Sequence, residues 1–310
     1  MKITLRQLGY ITAASRHGSI SGAAQQLNIS TSSILAAIDT FEQEFGIQVF
    51  VRQRSKGLTI TASGRRAIAR TIQLLDETDA YAEEMHGSGS RLRGELRVGA
   101  FTSISPSIAP QVIRELRAVH PELTVHLTEG DIVSIQHSLR DGSVDLLLTY
   151  DAGLWPEFAA EVLADAPPHA VLAKTDPLAE KPVVSLNDLT DHPLLLLNLP
   201  QSRNYVLSLF DRAGVTPGPI QKLESFEMVR SAAAAALGVA ILNIRPPSDI
   251  TYSGLSVACR PIAEPGDSPN IILATRSGSS ISRRSKAFSE CCRRFFGTPA
   301  AAALFARAPR

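Results

Sequence analysis

The sequence predicts an α/β chain in three parts: a small head built on a winged helix-turn-helix, a long connecting helix, and a larger body in two lobes. Three observations carry this prediction. Residues 1–85 place apolar side chains at helical spacing, broken once by a pair of short β-prone runs. The head is basic, with nine Lys or Arg against three Asp or Glu over residues 1–70, a net of +6 in a chain whose total is +1. Beyond Gly94, short apolar runs alternate with helical stretches, the pattern of βα units. At 310 residues, 44% apolar and 20% charged, the chain is long enough for about two domains and can bury a core.

Leu5, Leu8, Ile11 and Ala14 define the first helix, which His17-Gly18 closes. Ser19 or Ser21 caps a short second helix through Leu27, with Ala23, Ala24 and Leu27 facing inward. Asn28 permits a tight turn, and Ser30 caps a third helix over Thr31–Phe45 with the stripe Ile34, Ile38, Phe41 and Phe45. Two helices so joined, with alanines where they cross, form a helix-turn-helix. The hydroxyls of Ser30, Thr31, Ser32 and Ser33 open the third helix, where they reach phosphate oxygens or base edges; a solvated cap uses the same residues.

Val49–Arg52 and Leu58–Ile60 flank a turn, making a wing that carries Arg52, Arg54 and Lys56. Thr61-Ala-Ser-Gly starts a helix to about Met85 with Arg65, Arg66 and Arg70 in its first turns. Cations there oppose the helix dipole, so an external anion would compensate; a solvated charged face is the alternative. The stripe Ile68, Ile72, Leu75 and Ala82, with a second row at Ala67, Leu74 and Tyr81, has no nearby core in the sequence, so a second copy of the helix is the expected partner. Gly87-Ser-Gly-Ser90 reads as a hinge.

The stretch from Gly18 to Gly64 resembles the N-terminus of LysR-type transcriptional regulators. The matching features are Gly18-Ser19, Ala23-Ala24, Leu27, Ser30, Ile34, Ile38, Phe41-Glu42, Gly46, Phe50, Arg52, Leu58-Thr59, Thr61 and Gly64. The resemblance implies a winged helix-turn-helix over 1–60, a linker and dimerisation helix with its hinge over 61–90, and a periplasmic-binding-protein-like effector domain over 91–310. It implies double-stranded promoter DNA, a small-molecule effector and a second copy of the chain as partners, a tetramer as the higher assembly, and RNA polymerase as a further candidate partner. The DNA-facing residues are then Ser21, Ser30, Thr31, Ser32, Ser33, Leu35, Ala36, Arg52, Arg54, Lys56 and Arg65. One departure matters: the middle of the recognition helix, usually polar and often basic in the family, holds Leu35 and Ala36. Base reading is therefore expected from Ser30–Ser33, with much of the affinity from the wing and linker arginines.

In the body, strands are expected at Leu96–Ala100, Leu123–Leu127, Val144–Thr149, Val162-Leu163, Ala170–Ala173, Leu194–Leu197, Ile220–Leu223, Gly238–Leu242 and Ile271–Ala274. Helices are expected at Ser105–Val119, Ile132–Arg140, Tyr205–Arg212, Phe226–Leu237 and Ser282–Phe296. A mainly parallel sheet with helices on both faces follows, in lobe I (about 94–163 and 268–300) and lobe II (about 166–265); the family resemblance implies that the last strand and helix return to lobe I. Ligands of such sheets bind beyond the carboxyl ends of the strands. Thr102, Ser103, Gly130, Asp131, Tyr150, Ser202, Arg203 and Phe226 stand there and are the candidate effector residues. Hydroxyls and helix N-termini favour a small organic anion or zwitterion.

No catalytic motif of a hydrolase, metalloprotease, P-loop enzyme or dinucleotide-binding protein occurs, and the seven His lack metal spacing. No enzyme activity, metal or cofactor is expected. A small-molecule-binding protein or enzyme with a degenerate head is the competing reading. The three Cys make no disulfide scaffold, and a redox role for Cys291 or Cys292 needs an activating environment that the sequence does not show. With neither a signal-peptide core nor an apolar run of membrane-spanning length, a cytoplasmic location without membrane contact is expected.

Overall fold

A computed structural model of the chain describes residues 2–53, 57–85, 92–264, 266–278 and 281–307. Helix α1 (Leu5–His17) starts on a capping box between Thr4 and Gln7 and ends on Gly18. Helix α2 (Ile20–Gln26) is capped by Ser19 rather than Ser21. Asn28 turns the chain with φ 52°, and Ser30 caps α3 (Thr31–Phe45). Ile11, Ala14, Ala23, Ile34 and Ala37 are fully buried where the three helices cross, the alanines letting the axes approach. Strands β1 (Phe50–Gln53) and β2 (Gly57–Ile60) pair antiparallel as the wing.

Glu42, near the end of α3, ties the recognition helix to this wing. Its Oε1 accepts the N–H groups of Val49 at 2.6 Å and Phe50 at 3.1 Å. Glu42→Ala strips two backbone donors of their partner and is expected to cost about 1–3 kcal/mol, read as a lower urea midpoint at unchanged slope.

Helix α4 (Ala62–Met85) begins tight against the wing root; a Cβ at Gly64 would lie 2.2 Å from the Val49 carbonyl oxygen. One expectation is corrected here. The first half of its stripe does have a core, because α1 lies alongside: Ile68 and Ile72 are buried in the head. The outer row stays in solvent, with Leu74, Tyr81 and Met85 exposed.

Lobe I comprises β3 (Gly94–Phe101), α5 (Ser105–Val119), β4 (Leu123–Gly130), α6 (Ile132–Asp141), β5 (Leu146–Tyr150) and β6 (Phe158–Asp165). Lobe II comprises β7 (His169–Ala173), β8 (Leu194–Leu197), α7 (Pro200–Ala213), β9 (Ile220–Leu223), α8 (Phe226–Ala234), β10 (Ala240–Leu242) and β11 (Val257–Pro261). Strand β12 (Asn270–Arg276) returns to lobe I, giving the order β4-β3-β5-β12-β6. Helix α9 (Arg283–Phe296) follows it, with Phe288, Cys291 and Cys292 in the lobe I core. A short α10 (Pro299–Ala302) leads to a tail that touches both cores, Leu304 and Phe305 on lobe I and Ala306 on lobe II.

The expected mainly parallel sheets are mixed. Strands β3, β4 and β5 are parallel, as are β8 and β9, but β12 is antiparallel to β5 and β6, and β7 to β10 and β11. The reason is the double crossing. Strands β7 and β12 each enter a lobe at its cleft end, so they run against neighbours that point toward the cleft. Helix α8 also ends earlier than expected, at Ala234, with Ala236 in the left-handed region.

The head rests on lobe I of the same chain through the C-terminal end of α6. Gly142 caps that helix with φ 78°, and a Cβ there would lie 1.9 Å from Ile72 Cδ1. Arg16 Nε donates to the Gly142 carbonyl at 3.2 Å, and Gln73 Nε2 to the Gly278 carbonyl at 3.1 Å.

Candidate DNA-binding surface and effector cleft

The face of α3 opposite its buried Ile34, Ala37, Ile38 and Phe41 is open to solvent. Ser21, Ser30, Thr31, Ser32 and Ala36 are exposed, with Ser33 and Leu35 half-buried. Ser30 Oγ accepts the Ser33 N–H at 3.2 Å and lies 2.7 Å from Ser32 Oγ and 2.9 Å from Ser33 Oγ. The hydroxyls are thus pre-ordered around the helix N-terminus, with its backbone donors behind them. Helix α3 carries Asp39, Glu42 and Glu44 and no Lys or Arg, so attraction to a polyanion has to come from its neighbours. Arg65 is exposed and its Nη1 donates to the Ile60 carbonyl at 3.2 Å, fixing it beside the wing. Arg52 belongs to β1; Arg54, Lys56 and the expected hinge at 87–90 lie outside the described residues. Arg65 and Arg66 also border an open recess of about 800 Å³ that faces His137, Arg140 and Asp141 of α6.

Between the lobes the strand ends converge on a small void of about 20 Å³, room for one water-sized group. Four of the sequence-derived candidates meet there: Ser103, Tyr150, Ser202 and Phe226. Tyr150 is buried at the end of β5, and burial pushes its phenol upward, so the hydroxyl stays a donor. The other four stand outside the lining. Thr102 is exposed, its N–H donating to the Gly130 carbonyl at 3.1 Å. Asp131 caps α6, accepting from Val133 at 2.9 Å and Ser134 at 3.1 Å; partial burial raises its carboxyl, but these hydrogen bonds prevail and hold it below the usual range. Arg203 Nη1 donates to Asn198 Oδ1 at 3.3 Å, outside the void.

Sequence reading missed Asn243, which enters the void from the end of β10 and holds the Ala166 carbonyl at 2.9 Å and the Tyr205 hydroxyl at 3.3 Å. The signal was available, since Asn243 directly follows the strand Ala240–Leu242. The void opens beside two helix starts that lack side-chain caps: α5, with Ile104 at its N-cap, and α7, with Leu199. Ser105 Oγ, buried in the first turn of α5, has no hydrogen-bond partner among the described residues.

The cysteines lie elsewhere. Cys259, Cys291 and Cys292 are all buried. Burial pushes each thiol up, Cys259 to about 11, and so away from the thiolate that reacts. Among the described residues, no group of three potential ligands is placed to hold a metal ion, and no helix is long and apolar enough to cross a membrane.

Comparison with known proteins agrees with this geometry. Residues 5–65 match the family model for the bacterial regulatory helix-turn-helix protein of the lysR family, and residues 89–297 match the LysR substrate binding domain. The hydrogen peroxide-inducible genes activator of Dickeya chrysanthemi is 24% identical over 293 residues, covering 94% of this chain and 95% of that protein. The regulator CfxR of Cupriavidus necator is 26% identical over 244 residues, covering 78% of this chain and 76% of its own. Among solved structures, HinK, a LysR family transcriptional regulator from Pseudomonas aeruginosa, shares 28% identity over 95% of this chain and 99% of its own, with a TM-score of 0.63. Full-length OxyR from the same organism superposes with a TM-score of 0.79 at 23% identity, covering 94% and 98%, a likeness of fold.

A winged helix-turn-helix on a two-lobed ligand-binding body defines a DNA-binding regulator with an effector domain. The chain belongs to the LysR family of transcriptional regulators.

Proposed function

We propose that the chain binds promoter DNA as a dimer paired along the outer row of α4, and that its effector is a small organic anion or zwitterion held between the lobes. The duplex meets Ser30–Ser33 in the major groove, and Arg52, Arg54, Lys56 and Arg65 on flanking phosphates. The effector reading rests on one observation: Ser103, just before the uncapped start of α5, and Ser202, in the first turn of the uncapped α7, line one void together with Tyr150. Such ends favour a carboxylate. The void of about 20 Å³ admits one only as the lobes part, so binding changes the lobe geometry that the head rests on. One relative is named for hydrogen peroxide-inducible genes; oxidation of a cysteine by peroxide proceeds through the thiolate, and the buried, upward-shifted thiols here do not favour that chemistry.

Thermal-shift titration of the full chain with small mono- and dicarboxylates tests the cleft. Ser103→Ala and Ser202→Ala are each expected to weaken the best ligand about tenfold, and Arg203→Ala to leave it unchanged. Equal affinities in both serine variants would remove these helix ends from the site.

A further inference from the structure

The open recess of about 800 Å³ between the wing and α6 carries more positive charge than the DNA contacts proposed above use. Strand β2 and the first turns of α4 form its head side, through Leu58, Arg65 and Arg66. The C-terminal half of α6 forms its lobe I side, through His137, Arg140 and Asp141. Arg65, Arg66, His137 and Arg140 are all exposed. Among the described residues, none of the three arginines is ion-paired with an acid. Asp141 is held by Ser143, whose N–H and hydroxyl reach its Oδ1 at 3.0 and 2.6 Å.

Arg140 is the telling member of this group. Its guanidinium carbon stands 4.6 Å from the centre of the Trp155 ring, and its Nη2 donates to His137 Nδ1 at 2.7 Å. Because arginine only donates, His137 carries its proton on Nε2 and keeps a donor of its own. Trp155 is fixed in turn by the fully buried Gln136, which accepts the Trp155 backbone N–H at 2.7 Å and donates to the Gly153 carbonyl at 3.1 Å. The dipole of α6 favours a cation in its last turn but does not neutralise it. The indole platform thus holds a guanidinium in solvent with its charge intact, on the wall opposite Arg65 and Arg66. Like charges on two walls repel until an anion lies between them.

The recess shares Arg65 with the DNA face and runs along strand β2 of the wing, so the polyanion nearest to hand is the duplex. We infer that the C-terminal half of α6 is a phosphate-binding part of lobe I, where Arg140, together with Arg66, engages backbone phosphates next to those that the wing engages. The inference rests on the wing contact proposed above. It makes lobe I a direct reader of the duplex. The ten residues of α6 span about 15 Å, from the N-cap at the carboxyl end of β4 to the recess. Any shift of lobe I on effector binding therefore carries Arg140 with it and alters DNA affinity.

The test is gel retardation of the full chain on a duplex of arbitrary sequence and about 40 base pairs, long enough for two half-sites and their flanks, over about 50 to 200 mM salt. Arg66→Gln and Arg140→Gln should each lower the slope of log affinity against log salt by about 0.9, and the double variant by about 1.8, so that the parent loses about 12-fold more affinity over that range than the double variant. Asp141→Asn removes a negative charge from the wall and should bind about twofold tighter at the lowest salt, a gain that a folding defect cannot produce. Arg117→Gln on α5, an exposed arginine outside the recess, should keep the parental slope. A parental slope in either Arg66→Gln or Arg140→Gln would overturn the inference. So would weaker binding by Asp141→Asn, or an equal fall in Arg117→Gln, which would make the effect one of net charge. A slope that falls only when Arg52, Arg54 and Arg65 are replaced leaves the wing contact standing and removes lobe I from the interface; a parental slope there too removes the wing contact itself.

Discussion

Replacing Arg52, Arg54 and Arg65 together with alanine is expected to flatten the salt dependence of duplex binding. Each phosphate contact contributes about 0.9 to the slope of log affinity against log salt, so three lost contacts remove about 2.7. Between roughly 50 and 200 mM salt the parent should then lose about 40-fold more affinity than the variant, on top of weaker binding by the variant at low salt. The effect is large because α3 offers no cation of its own. Gel retardation at several salt concentrations measures it. A variant with the parental slope would show that the wing and the start of α4 do not touch phosphates.

The second large effect concerns His169, at the first position of lobe II after the chain leaves lobe I. The ring is fully buried. Burial, and next the positive field of Arg245, hold it at about 4, below its ordinary 6.5. The folded chain therefore keeps the ring neutral while the unfolded chain takes up a proton. Stability from this group is complete above about pH 6.5 and is lost as the pH falls toward 4, by about 3 kcal/mol in all. In His169→Leu that component disappears, so urea midpoints recorded from about pH 7 to 4.5 should fall less steeply than in the parent. Parallel curves would mean that the ring protonates freely in the fold.

The helix-turn-helix was legible because its signals are local. Ser19, Asn28, Ser30 and Gly46 each act within one turn of chain, and each sits where its capping or turn chemistry predicts. Strands β8 and β9 were equally plain, as apolar or alternating runs bounded by breakers. Strand β11 is not evident in the sequence because Val257–Pro261 ends in Arg260-Pro261, which cuts its apolar run to three residues. Of the cleft candidates drawn from a general rule about strand ends, half line the void. The rule could not tell Ser103 from its neighbour Thr102, since successive residues at a strand end point to opposite sides.

Two quantities were fixed by the chain's own order of residues: a basic, serine-tipped winged head and a βα body whose last strand and helix complete its first lobe. Three others needed the assembled molecule. These are the strand directions set by crossing twice between lobes, the engagement of Asp131 and Arg203 outside the void, and the junction at Gly142 that brings arginines from four segments around one cavity. Capping and periodicity act over a few residues, whereas a pocket or an interdomain contact depends on how distant segments pack, and no local pattern encodes that distance.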